Sequence, residues 1–119
     1  MTGALESRDW TTHQGRRLAF TALGFGAAPL GDMHRRLDER EARATVERAW
    51  DLGMRYFDTA PLYGHGLSER RVGAALRGQP RDAFLLSTKV GRLLEPCPAG
   101  EEDGGIYVSA SGQRIRFDY

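Results

Sequence analysis

The sequence predicts an α/β fold built around a parallel sheet, on three observations. Two segments carry helical periodicity, three short apolar runs alternate with them, and the connections between are only a few residues long. Strand, helix, strand, helix, strand at this spacing implies right-handed βαβ units and a parallel sheet, because each intervening helix carries the chain back so that the next strand runs parallel to the last.

Residues 1–17 show no apolar periodicity and are expected as a flexible N-terminal arm, with one domain occupying 18–119. From Leu18 the stretch LAFTALGFGAAPL is apolar, aromatic and punctuated by glycine, which suits one or two short strands broken by a turn and ending near Pro29. In LDEREARATVERAWDLG, Ala42, Val46, Ala49 and Trp50 recur at i, i+4, i+7 and i+8, while Arg43, Glu47, Arg48 and Asp51 face the other way. Asp38 is placed to cap this helix, with Glu41 three residues on in a capping-box arrangement, and Gly53 stands where a left-handed residue ends it.

MRYFDTA follows directly and reads as a short buried parallel strand. Ser68 is expected to open the second helix, SERRVGAALRG, with Val72, Ala75 and Leu76 apolar and Gly78 and Pro80 terminating it. AFLLSTKVG is the third strand. The tail from Arg92 to Tyr119 then breaks the alternation, since a helix is due and EPCPAGEEDGGIYVSASGQRIRFDY stands there instead. Within it, IYVS and RIRFDY around Ser111 and Gly112 predict a small hairpin.

Composition narrows the function classes. Lys plus Arg number 17 and Asp plus Glu 16, for a net charge of +1, and no block of like charges advertises nucleic acid or an anionic membrane as a partner. Cys97 is the only cysteine, so no intramolecular disulfide forms and an unreactive thiol in a loop is its plain reading. The polar start MTGALESRDWTTHQGRR lacks the apolar core of a secretory signal, and no stretch approaches the ~20 apolar residues that span a bilayer. A cytoplasmic protein is expected. His13, His34 and His65 have no spacing suited to a metal. Glycine, 15 of 119 residues against the usual ~7%, falls in clusters that mark tight turns.

Parallel βαβ sheets carry their working residues just past the C-terminal ends of the strands. Asp58 ends MRYF, Lys89 follows AFLLST, and Tyr63 lies in the sharply bending loop FDTAPLYGHG. Each alone has a structural reading, as a turn cap, a solvated lysine or a packed ring. Together they make a general-acid device: an ammonium beside a phenol stabilises the phenolate, and the carboxylate fixes the ammonium. Such a set suits protonation of a carbonyl oxygen while hydride arrives at its carbon.

FDTAPLYGHGLSERRVGAAL resembles the signature of the aldo-keto reductase family, in which a strand ending Asp-Thr-Ala leads to Tyr-Gly, Ser-Glu and a helix. LGFGAAPLG is similar to that family's first barrel strand, and LLSTKVG to the strand bearing its lysine. The resemblance covers about Leu18 to Gly91. It implies the N-terminal portion of a (β/α)8 TIM barrel, an NADP or NAD cofactor, and hydride transfer to or from a small carbonyl or alcohol substrate. Tyr63 is then the proton donor or acceptor, Lys89 tunes it, and Asp58 pairs with Lys89 near the nicotinamide. Gly26, Ala27 and Ala28 approach the cofactor, Ala27 replacing the threonine common there.

GRLLEP and the long segment after Lys89 look like the sugar and pyridoxal dehydrogenase branch, which suggests an aldose or pyridoxal as substrate. A whole barrel needs ~250 residues, and this chain supplies about three strands and two helices. The family's catalytic histidine belongs to a fourth strand that has not begun by Tyr119, and His65 does not stand in for it. The 119-residue chain is therefore expected to be an inactive fragment. The alternative is a non-catalytic regulatory protein on the same fold, which would tolerate loss of Asp58, Tyr63 or Lys89.

Overall fold

The computed structural model of the chain describes residues 5–91, 93–98, 107–108 and 114–118. Its parallel sheet consists of three short strands in the order β3–β4–β5, where β3 is Phe25–Gly26, β4 Tyr56–Asp58 and β5 Leu85–Ser87. The crossovers are helices α1, Glu39–Asp51, and α2, Leu67–Leu76. The alternation expected from the sequence is thus present.

An antiparallel hairpin precedes it, formed by β1 at Ser7–Thr11 and β2 at Arg17–Thr21. The strand at Ser7–Thr11 lies where the sequence suggests only a loose arm. All five of its residues are exposed, so its pairing leaves no apolar alternation to read; the backbone ladder to β2 holds it. The hairpin meets the start of β4, where the Arg55 N–H donates to Thr21 Oγ1 at 3.2 Å and the Phe20 ring meets Tyr56 edge-on at 5.2 Å.

Helix α1 begins and ends as its sequence requires. The Asp38 carboxylate accepts from the Glu41 N–H at 2.7 Å, satisfying one of the free donors of the first turn. The reciprocal half of the capping box is replaced, because the Glu41 carboxylate pairs with Arg35. At the other end Gly53 has φ 93°, and the Gly53 and Met54 N–H groups donate to the carbonyls of Trp50 and Ala49. That double closure needs a left-handed residue, which glycine supplies without strain.

Helix α2 departs from expectation at its start. Gly66, at φ 87°, occupies the capping position, and Ser68 lies inside the first turn, fully buried. Its hydroxyl bonds elsewhere in the molecule rather than to its own helix.

The core lies between the two helices and the outer face of the sheet. Val46, Ala42 and Ala49 of α1 and Val72, Ala75 and Leu76 of α2 enclose Phe57, with Leu30 and Phe84 at the margins. Phe57 is fully buried and meets Phe25 and Phe84 at ring centroid distances of 5.8 and 6.3 Å. Removing such a ring costs about 3–5 kcal/mol. Because side chains alternate along a strand, burying Phe57 against the helices turns Tyr56 and Asp58 to the opposite face.

In the tail, β6 at Leu93–Pro96, β7 at Tyr107–Val108 and β8 at Arg114–Asp118 form an antiparallel sheet in the order β6–β8–β7. The expected hairpin is there, with Tyr107 opposite Ile115; its turn residues Ser111 and Gly112 lie outside the described residues. β6 is an added partner. No helix among the described residues is long and apolar enough to cross a membrane.

Candidate active site

Asp58 and Lys89 meet above the C-terminal ends of β4 and β5. Parallel pairing sets Asp58 opposite Ser87, so the lysine two residues further on lies within reach of the carboxylate. Lys89 Nζ is 2.7 Å from Asp58 Oδ2 and 3.0 Å from the Thr59 carbonyl oxygen. The other carboxylate oxygen accepts from the Ser87 hydroxyl at 2.6 Å. Ser87 has one hydroxyl hydrogen and spends it on Asp58, so at the 3.1 Å contact with Tyr56 the phenol is the donor.

These contacts set the charge states. The hydrogen bonds from Lys89 and then Ser87 hold the Asp58 carboxyl below its ordinary pKa, against the opposing effect of desolvation. The Asp58 hydrogen bond raises the pKa of Lys89, with Tyr63 adding in the same direction. At neutral pH the pair is an ammonium anchored to a carboxylate, both partly solvated, with side-chain exposures of 49% and 37%.

Tyr63 completes the group, with Lys89 Nζ over its ring at 5.3 Å from the centroid, within the range of a cation–π contact. Its loop is held by close backbone packing. A Cβ on Gly31 would lie 2.6 Å from the Gly64 nitrogen and the Tyr63 carbonyl oxygen, and one on Gly64 would lie 2.6 Å from the Gly31 carbonyl oxygen. Only hydrogen fits at either position. Gly64, His65 and Gly66 take φ values of 66°, 53° and 87°, and this left-handed stretch turns the chain into α2. Burial pushes the His65 imidazole below its usual pKa. Among the described residues no group of three or more metal-ligating side chains is gathered.

The three residues expected to approach a cofactor are placed differently from one another. Gly26 pairs with Asp58, and a Cβ built on it would meet no atom within 4 Å, so β3 leaves room beside Asp58. Ala28 is half-buried. Ala27 has its methyl in the core, its N–H on the Asp58 carbonyl and its own carbonyl accepting from Leu30 N–H and Ser68 Oγ. Its groups brace the segment from behind.

Several supporting residues escape a reading of the sequence alone. Ser87 reaches Asp58, and Tyr56 reaches Ser87, through strand register, which no local motif encodes. Arg71 had a local signal: it falls on the buried stripe Leu67, Arg71, Ala75, an odd place for a charge. It donates to the carbonyls of Leu30 and Leu37 and pairs with Asp32 and Glu39, clamping the connection between β3 and α1 onto α2.

The profile of the Aldo/keto reductase family matches residues 22–118. A D-threo-aldose 1-dehydrogenase from a Pseudomonas species is 56% identical over 87 residues, which is 73% of this chain and 26% of that protein. A pyridoxal 4-dehydrogenase from Microbacterium luteolum is 48% identical over 83 residues, covering 70% of this chain and 24% of that one. Among solved structures, an aldo-keto reductase from Bacillus halodurans in its holo form superposes with a TM-score of 0.62 at 38% identity, over 82% of this chain and 29% of that one. The chain thus spans about a quarter to a third of the length of the proteins it matches. The parallel unit is the N-terminal portion of a (β/α)8 TIM barrel, with three of its strands and two of its helices.

Proposed function

Because the chain belongs to the aldo/keto reductase family, we propose that it provides the proton-transfer centre of an NAD(P)-dependent oxidoreductase acting on a small carbonyl or alcohol. The observation that carries this reading is the convergence of Asp58, Lys89 and Tyr63, with Lys89 bonded to Asp58 at 2.7 Å and lying 5.3 Å over the Tyr63 ring. In that arrangement Tyr63 gives its hydroxyl proton to the carbonyl oxygen, or takes one from the alcohol in the oxidative direction. Lys89 stabilises the phenolate left behind, and Asp58 keeps the ammonium oriented and charged.

A nicotinamide cofactor, NADP or NAD, supplies or takes up the hydride. Gly26 and Ala28 are suited to lie against it, with Asp58 beside it, since Gly26 leaves open room on the Asp58 face. Ala27 serves by holding that segment to β4. The likeness to an aldose dehydrogenase and a pyridoxal dehydrogenase supports an aldose or pyridoxal as the substrate class. The 119-residue chain by itself leaves β3 and β5 at the edges of the three-stranded parallel sheet, and it should not turn over substrate alone.

The test joins the full chain to the part of the Pseudomonas enzyme beyond the matched segment, giving a completed barrel. Aldoses, pyridoxal and simple aldehydes are screened with both cofactors at the nicotinamide absorbance. Tyr63→Phe should lower turnover by ~10²–10⁴, the usual worth of a positioned general acid, while cofactor affinity barely changes. A folded barrel that binds cofactor but keeps near-normal turnover in Tyr63→Phe would show that the proton comes from elsewhere. One that neither binds nor turns over would favour a regulatory role.

A further inference from the structure

The first turn of α2 holds a buried hydroxyl that the proposed chemistry does not use. Ser68 is fully buried, and Thr59 is 3% exposed. Ser68 Oγ lies 2.8 Å from the Ala27 carbonyl oxygen and 2.8 Å from Thr59 Oγ1. A carbonyl oxygen only accepts, and a serine hydroxyl has a single hydrogen. Ser68 therefore donates to Ala27, and Thr59 donates to Ser68.

Both ends of this relay touch the candidate site. The Thr59 carbonyl accepts Lys89 Nζ at 3.0 Å, and the Thr59 N–H donates to the Ser87 carbonyl at 2.9 Å. The Ala27 N–H donates to the Asp58 carbonyl at 2.9 Å, and Ala27 lies between Gly26 and Ala28. On the neighbouring position of α2, Glu69 accepts from the Thr88 hydroxyl at 2.6 Å, next to Lys89. One helical turn thus reaches the segment facing the proposed cofactor and the segment that seats the lysine.

We propose that Ser68 is a positioning residue of the catalytic centre, coupling through Thr59 the placement of Gly26–Ala28 to the placement of Lys89. The inference rests on the functional reading above. It differs from a purely structural role in its consequence. Ala27 keeps a second donor, the Leu30 N–H at 3.0 Å, so loss of the Ser68 hydroxyl leaves that carbonyl satisfied and the chain able to fold. The Thr59 hydroxyl, by contrast, loses its buried acceptor. Its side chain must turn to find another, and the adjoining peptide carries the carbonyl that holds Lys89.

The experiment uses the completed barrel with Ser68→Ala, Thr59→Val, which keeps shape without the hydroxyl, and Thr59→Ser, which keeps the hydroxyl. Cofactor Kd is read from nicotinamide fluorescence, together with kcat, its pH profile and Tm. Ser68→Ala and Thr59→Val should each weaken cofactor binding and lower kcat by about two- to tenfold, the worth of one hydrogen bond, and displace the alkaline limb of kcat. The double variant should cost little more than either single one, and Thr59→Ser should recover most of what Thr59→Val loses. A fall in Tm with Kd, kcat and pH limb unchanged overturns the proposal. If Ser68→Ala does not fold, the Thr59 pair decides the question by the same readouts. An unsubstituted barrel that folds but binds no nicotinamide cofactor overturns the functional reading and this inference together; one that binds, with variants binding equally well, overturns this inference alone.

Discussion

Gly31→Ala is the substitution whose effect the geometry defines most sharply. The new methyl would stand 2.6 Å from the Gly64 nitrogen and the Tyr63 carbonyl oxygen, and ordinary Cβ contacts begin near 3.4 Å. Both obstacles are backbone, so no side chain can swing away. The Tyr63 loop and the segment carrying Gly31 must part by about 1 Å, which overpacking data put at about 1–3 kcal/mol. Because Tyr63 sits in the displaced loop, its hydroxyl moves relative to Lys89. A misplacement of about 1 Å costs on the order of 10²-fold in a positioned reaction. Urea denaturation and single-turnover kinetics on the completed barrel measure the two effects separately. Gly73→Ala is the control, since a Cβ there meets nothing within 4 Å. A Gly31→Ala barrel with unchanged midpoint and unchanged single-turnover rate would refute the claim that this glycine contact sets the position of Tyr63.

Asp58 has a folded pKa below its ordinary value, so its contribution to stability is present above about pH 4 and disappears as pH falls through the folded value. Lys89 is raised, so its share is present below about pH 10 and disappears as pH rises through the raised value. The stability gap between wild type and Asp58→Asn should therefore be flat between those limits, close outside them and shrink with salt. With both side chains over a third exposed, it should be about 1 kcal/mol or less; a gap that widens in acid would contradict the ion pair. Arg71→Leu should be far costlier, about 3–5 kcal/mol by denaturation, because a 5%-exposed guanidinium leaves Asp32 and the Leu30 and Leu37 carbonyls without it. Glu39→Gln should cost little, its side chain being 77% exposed, and an equal loss in both variants would locate the stabilisation outside the buried part of the cluster.

The elements that the sequence displays are those held by local or periodic forces. Helix α1 shows both, an apolar stripe at Ala42, Val46 and Ala49 and end signals at Asp38 and Gly53 that function as written. Asp58, Tyr63 and Lys89 were visible because strand ends and a glycine-rich loop mark the rim of a parallel sheet. The strand at Ser7–Thr11 was hidden because every residue of it is exposed and it carries no apolar alternation. Ser68 looked like a helix cap because serine before an apolar run is a good cap in isolation; Gly66 took that position, and the hydroxyl answered the demands of Ala27 and Thr59 instead.

What stayed hidden in the site depends on register. Ser87 supports Asp58 only because β4 and β5 align those two residues, and a slip by one position would turn the supporting side chain to the other face. Gly31 and Gly64 carry the same lesson further. Each reads alone as an ordinary turn residue, yet each must be glycine because the other's backbone lies against it. That requirement belongs to a contact between two loops on successive strands, and no window of sequence contains both. The tyrosine loop was therefore recognisable from its residues, while the reason it can hold Tyr63 against Lys89 emerged only once the chain had folded.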